Sequence, residues 1–176
     1  MTYELKAGVL YKQPEEIPLA RIKGGLYGSE RQILGPDNAL LLRTEIHHLE
    51  SPPGQSGNVR YTRYIMYRAN GQKYALGEPR YAEGDDPGKN GWPIYRMPRA
   101  DSVRLTTGST EYTLHMENSR EYELIDSRDA RVLYIVHRGV VGGWRLESRL
   151  AFPVCFLCGV FLFCRYLEQE NRFLTV

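Results

Sequence analysis

Leu150 to Cys164 reads LAFPVCFLCGVFLFC, fifteen residues without a charged side chain, and everything on its amino-terminal side is strand-like and polar-alternating. As a helix this run spans about 22 Å, and crossing a bilayer core takes about 20 residues. Length therefore favours a buried core helix over a membrane span. A helix that is apolar on every face needs a wall on every side. Pro153 suits a first helical turn and places the start near Phe152, while Gly159 leaves room for a strand to approach. RYLEQEN (Arg165 to Asn171) is expected to return the helix to solvent, so the predicted helix covers about 151–168.

Working back from the helix, the sequence supplies that wall. Thr2 to Tyr11 alternates Tyr3, Leu5, Ala7 and Val9 with polar partners, as one half-buried strand requires. Ile17 to Lys23, Arg31 to Gly35 and Ala39 to Ile46 follow, the last two split by the turn sequence Gly35-Pro36-Asp37-Asn38. SPPGQSGN (Ser51 to Asn58) reads as a loop. Asn58 to Ala69 and Gln72 to Leu76 flank Asn70-Gly71, a pair that predicts a type I′ hairpin. Gly77 to Pro93 is rich in Gly, Pro and Asp and reads as a long surface loop. Ile94 to Met97, Val103 to Thr107, Glu111 to Met116, Glu121 to Asp126, Arg131 to His137 and Trp144 to Glu147 complete the pattern. The expected fold is mainly β: a closed antiparallel barrel of about 11–12 strands, because closure removes exposed edges, around a central hydrophobic C-terminal α-helix. The chain, 176 residues with 42% hydrophobic and 25% charged side chains, fits a single domain over 1–176. Tyr supplies 13 of the 20 aromatics, which favours β-structure.

Charge is uneven along the chain. The net charge is +2, but residues 57–104 carry nine basic and five acidic groups, whereas 1–56 and 105–176 each carry one more acid than base. Arginine outnumbers lysine eighteen to five, and guanidinium is the group that grips phosphate or carboxylate in a fork. The balance is too mild for a dedicated nucleic-acid binder, for which a domain pI above about 9 is expected. Cys155, Cys158 and Cys164 all lie in the apolar run and read as packing residues in a reducing compartment. Met1 to Lys6 lacks the apolar segment of a secretory leader, so the expected location is cytoplasmic, with peripheral membrane attachment as a variant.

The strand order, the Asn70-Gly71 hairpin, the long mid-chain loop and the carboxy-terminal run LAFPVCFLCGVFLFCRYLEQEN together resemble the tubby C-terminal-like superfamily, which includes the tubby, LURP-one-related and phospholipid scramblase-like barrels. The resemblance covers nearly the whole chain and is architectural, with no functional motif attached. It implies a helix threading a barrel. It also implies a link to membranes, since tubby domains bind phosphoinositide headgroups through basic exterior residues and scramblases are associated with phospholipid movement.

No motif supports an enzyme, and no cofactor is expected. GxSxG and GxxxxGK[ST] are absent, and Asp85-Asp86 lacks calcium-loop spacing. His47 and His48, adjacent on a strand, point to opposite faces and do not chelate one ion. The candidate binding set is Arg60, Arg63, Arg68, Lys73, Arg96, Arg99 and Arg104, around the hairpin in the basic segment. The leading expectation is a non-enzymatic module that recognises an anionic phospholipid headgroup or similar phosphate at a membrane surface. The alternative is a soluble protein-protein interaction module with no lipid ligand. A third, in which Leu150 to Cys164 enters the membrane, is disfavoured by its length and by Gly159.

Overall fold

A computed structural model describes residues 1–24, 29–49, 61–81 and 100–172. Twelve strands run β1 (Thr2–Lys6), β2 (Val9–Lys12), β3 (Ile17–Lys23), β4 (Glu30–Leu34), β5 (Leu40–Leu49), β6 (Tyr61–Arg68), β7 (Lys73–Tyr81), β8 (Ala100–Thr107), β9 (Thr110–Asn118), β10 (Glu121–Asp126), β11 (Arg131–His137) and β12 (Trp144–Ser148). Each pairs antiparallel with its sequence neighbours, and β12 pairs with β1 to close the barrel, Thr2 lying opposite Glu147 and Leu5 opposite Trp144. Among the described strands, closure leaves no unpaired sheet edge.

The helix α1 (Val154–Arg172) fills the barrel. Phe156 to Cys164 is at most 7% exposed at every position with a side chain, and these residues belong to the same core cluster as Leu10, Ile33, Leu42, Leu105, Leu114 and Leu124 of the wall. Ring contacts tie helix to wall: Tyr64 stands 5.4 Å from both Phe163 and Tyr166, and Trp144 lies 5.3 Å from Phe161. No described helix is long and apolar enough to cross a membrane, and the apolar faces of this one are already covered by strands. That burial overturns the reading of Leu150 to Cys164 as a membrane insertion.

Local chemistry sets the helix limits. The Pro153 carbonyl accepts from the Phe156 and Leu157 amides at 2.9 and 3.1 Å, so proline, whose missing N–H is no loss here, opens the first turn. At the other end the helix does not surface at Arg165: Tyr166 and Leu167 are 1% and 0% exposed, and Glu168 is also buried. Thr44 and Tyr166 share a buried hydroxyl contact of 2.6 Å that anchors this stretch to β5. The helix therefore runs past the expected end at 168.

Two turns differ from their sequence expectation. Thr2 to Tyr11 is a hairpin rather than one strand, because Ala7 (φ 47°) and Gly8 (φ 78°) both adopt the left-handed region and reverse the chain between Lys6 and Val9. The hairpin at Asn70-Gly71 forms, but through a three-residue loop. The Gly71 amide donates to the Arg68 carbonyl at 2.9 Å, the Arg68 amide donates to Gln72 at 2.8 Å, and only Gly71 (φ 82°) is left-handed. This is a type I turn closed by a glycine bulge, not type I′. The first part of the expected loop at Gly77 to Pro93 is strand, since β7 continues to Tyr81 with Pro79 opposite Val103. The rest of that loop, the strand at Ile94 to Met97 and the loop at Ser51 to Asn58 lie outside the described residues.

Candidate functional site

Of the seven expected binding residues, Arg63, Arg68, Lys73 and Arg104 fall on described strands, whereas Arg60, Arg96 and Arg99 lie outside the described residues. Pleating decides which way β6 presents its side chains. Tyr64 and Met66 are fully buried against the helix, so Arg63 is sent outward. Tyr64 pairs with Gly77, which sets Arg63 beside Glu78, and Glu78 pairs directly with Arg104 on β8. The result is an outward row of Arg63, Glu78 and Arg104 across three strands.

Glu78 joins the two arginines. Its Oε1 accepts from Arg63 at 3.0 Å and its Oε2 from Arg104 at 2.5 Å. The Arg104 hydrogen bond, reinforced by the charges of both guanidinium groups, outweighs partial burial and holds the Glu78 carboxyl below the usual carboxylate range. Arg63 and Arg104 remain 46% and 42% exposed, so each keeps donors facing outward. Arg68 sits elsewhere, with its guanidinium carbon 4.6 Å from the Tyr74 ring centroid near the start of the helix. Lys73 follows the hairpin loop and is exposed. Strands β6 to β8 together carry five cations (Arg63, Arg68, Lys73, Arg80, Arg104) against two acids (Glu78, Asp101).

A second basic surface lies on the wall formed by β11, β12 and β1. Here Arg145, Glu147 and Arg149 follow one another at every second residue on the outer face of β12 and its extension, and Arg131 comes in from β11. They line a shallow cleft of about 310 Å³ with Tyr134. Arg131 is fixed by Glu123 at 2.6 Å and lies 4.9 Å from the Tyr134 ring centroid; Arg145 pairs with Glu147 at 2.7 Å. A smaller cleft of about 210 Å³ adjoins it, sharing Thr2 and Arg145. There the Glu4 carboxylate is only 5% exposed. Burial would raise its pKa, but hydrogen bonds and charge from Lys6 and Arg138 overcome that and leave it below the usual range.

This second surface is hidden from a tally by segment, which places Arg131, Arg145 and Arg149 in the slightly acidic segment 105–176. The spacing Arg145-Glu147-Arg149 on a strand was the available signal, since alternate residues share a face.

Two histidines on the described strands have close neighbours in the fold. His47 contacts Glu45 at 2.8 Å, two residues away on the same face, and His137 packs 5.0 Å from Trp144. Among the described residues no three His, Cys, Asp or Glu side chains gather as metal ligands. The three cysteines are free thiols. Burial pushes the Cys158 thiol up to about 12 and Cys164 higher still.

No family model matches this sequence, and neither does any curated protein. Among solved structures, the chain is similar to the X-ray structure of a protein from Arabidopsis thaliana, at 13% identity over 97% of this chain and 90% of that one, with a TM-score of 0.43.

Proposed function

We propose that this barrel is a non-enzymatic binding module whose outer wall at β6 to β8 recognises an anionic phospholipid headgroup. The observation that carries the reading is the excess of five cations over two acids on those three strands, with Glu78 holding Arg63 and Arg104 side by side and each still exposed. A cation near an acidic leaflet contributes about 1 kcal/mol, and a small set of them gives reversible, salt-sensitive attachment. The barrel interior is occupied by the helix, so a ligand meets the exterior.

Flotation with zwitterionic and anionic vesicles, at low and physiological salt, tests the reading. Binding to anionic vesicles alone, fading with salt and abolished by Arg63→Glu/Arg104→Glu, is the expected result. Glu78→Gln should strengthen binding, because it removes the one acid between the two arginines. Absence of binding to either vesicle would overturn the lipid reading and favour the protein-protein interaction module.

A further inference from the structure

We infer that the cleft between β11 and β12 is a second, separate anion site, built for a compact dianion such as a phosphate monoester. The inference does not depend on the headgroup reading, since β9 and β10 separate this wall from β8. Three features carry it. The first is shape: this is a concave surface of about 310 Å³ rather than a scatter of exposed cations. The second is charge. Arginine outnumbers glutamate three to one in its lining, and even with Glu123 meeting Arg131 from outside the lining, cations exceed acids, a balance that favours an anion. The third is preorganisation, because a guanidinium already held in place loses less freedom when it binds.

That preorganisation can be followed residue by residue. Arg131 is gripped by Glu123 and lies over the Tyr134 ring, so its guanidinium is held by two neighbours. The Arg149 backbone is pinned where its amide donates to the Val132 carbonyl at 2.9 Å, at the base of Arg131's own strand. Arg145 is held by Glu147, the single acid of the lining. Tyr134 itself is oriented by donating its hydroxyl to Glu121. A phosphate lying between Arg131 and Arg149 accepts charge-assisted hydrogen bonds from both, and Arg145 stands beyond Glu147 on the same outward row of β12. Glu147 opposes it, which sets the site's affinity below what three free arginines would give.

The same chemistry is offered by free phosphate and by the headgroup of phosphatidic acid, and the test separates them. Inorganic phosphate is titrated into the full chain at constant ionic strength while the arginine side-chain N–H signals are followed by NMR; vesicles of phosphatidic acid diluted in phosphatidylcholine are run in parallel. Arg149→Gln should weaken phosphate binding about tenfold, and Glu147→Gln should strengthen it by a similar factor. Both positions are on the surface, so the melting temperature serves to verify that the fold is unchanged. Arg63→Glu/Arg104→Glu should leave phosphate affinity as it was. If only the vesicles bind, and with the same dependence on Arg149 and Glu147, the site stands with a lipid as the source of the phosphate. If phosphate shifts the signals no more than chloride does and vesicle binding ignores both substitutions, the site does not exist. The headgroup reading on β6 to β8 is untouched by that failure, because its own variants report on it.

Discussion

Two glycines let the helix and the wall interlock, and an added methyl should cost very different amounts at each. A Cβ at Gly159 would meet the sulfur and terminal carbon of Met66 at 2.6 Å, and a Cβ at Gly77 would meet the Phe163 ring at 2.8 Å and Val103 at 3.0 Å. Methionine is flexible and can swing aside. Replacing a mid-helix glycine by alanine also gains about 1 kcal/mol of helix propensity. Gly159→Ala is therefore expected to be near neutral. The Phe163 ring is rigid and enclosed, so Gly77→Ala should destabilise by about 1–3 kcal/mol. Equilibrium urea unfolding of the two variants would show whether this ordering is right, and Phe163→Leu should recover part of the loss in Gly77→Ala by vacating the contact. The first glycine was legible as a point of close approach because it interrupts an apolar run. The second read as a loop breaker, because nothing in the sequence says which strand residue faces a phenylalanine more than eighty positions away.

At the scale of the element, the helix makes a prediction through its thiols. Cys158 and Cys164 are fully buried, whereas Cys155 is half-buried near the barrel end. Burial raises the Cys155 thiol as well, although backbone hydrogen bonds at Phe156 and Cys155, and then the Arg68 charge, partly offset it. Read only as packing residues of the apolar run, the three cysteines form a single class. The structure instead predicts two classes: with a thiol reagent near pH 8, one cysteine labels slowly in the native state and two only under denaturing conditions, countable by intact mass. Three native-state labels would mean that the helix leaves the barrel readily. Element type was legible here because the signals are local: alternation for strands, an uninterrupted apolar run for the plug, Asp and Asn at turns such as Asp37-Asn38, where the Asp37 carboxylate accepts from the Ala39 amide at 3.1 Å. Turn type was less so. Ala7 carries no signal for a left-handed residue, and the hairpin it helps to make is imposed by the pairing of β1 with both β2 and β12.

Closing the barrel brings together groups that are remote along the chain, which is why the charge surfaces were only half visible beforehand. Glu78 joins Arg63 to Arg104, and Glu4 joins Lys6 to Arg138, 134 residues away; no segment tally registers either pairing. The same closure gives the whole molecule a pH profile that can be worked out from its carboxylates. Glu4 and Glu78 titrate below their ordinary value of 4.5, so their contribution to stability is complete above that value and is lost as pH falls through their folded pKa. Glu170, near the end of the helix and facing Tyr64 and Thr62 of β6, behaves oppositely. Burial raises its pKa above 4.5 despite those two neighbours, so its contribution is complete below 4.5 and is lost as pH rises through the folded value. Stability should therefore peak between the two limbs and decline on both sides. Glu170→Gln, which keeps the shape and cannot ionise, should flatten the limb on the alkaline side of 4.5 while leaving the acid limb in place. Glu78→Gln should do the reverse, weakening the acid limb and lowering stability at neutral pH. Urea midpoints measured from pH 3 to pH 8 for the parent chain and both variants decide the matter: an alkaline limb that persists in Glu170→Gln would mean that another group, rather than the carboxyl at the barrel mouth, ties the helix to the pH.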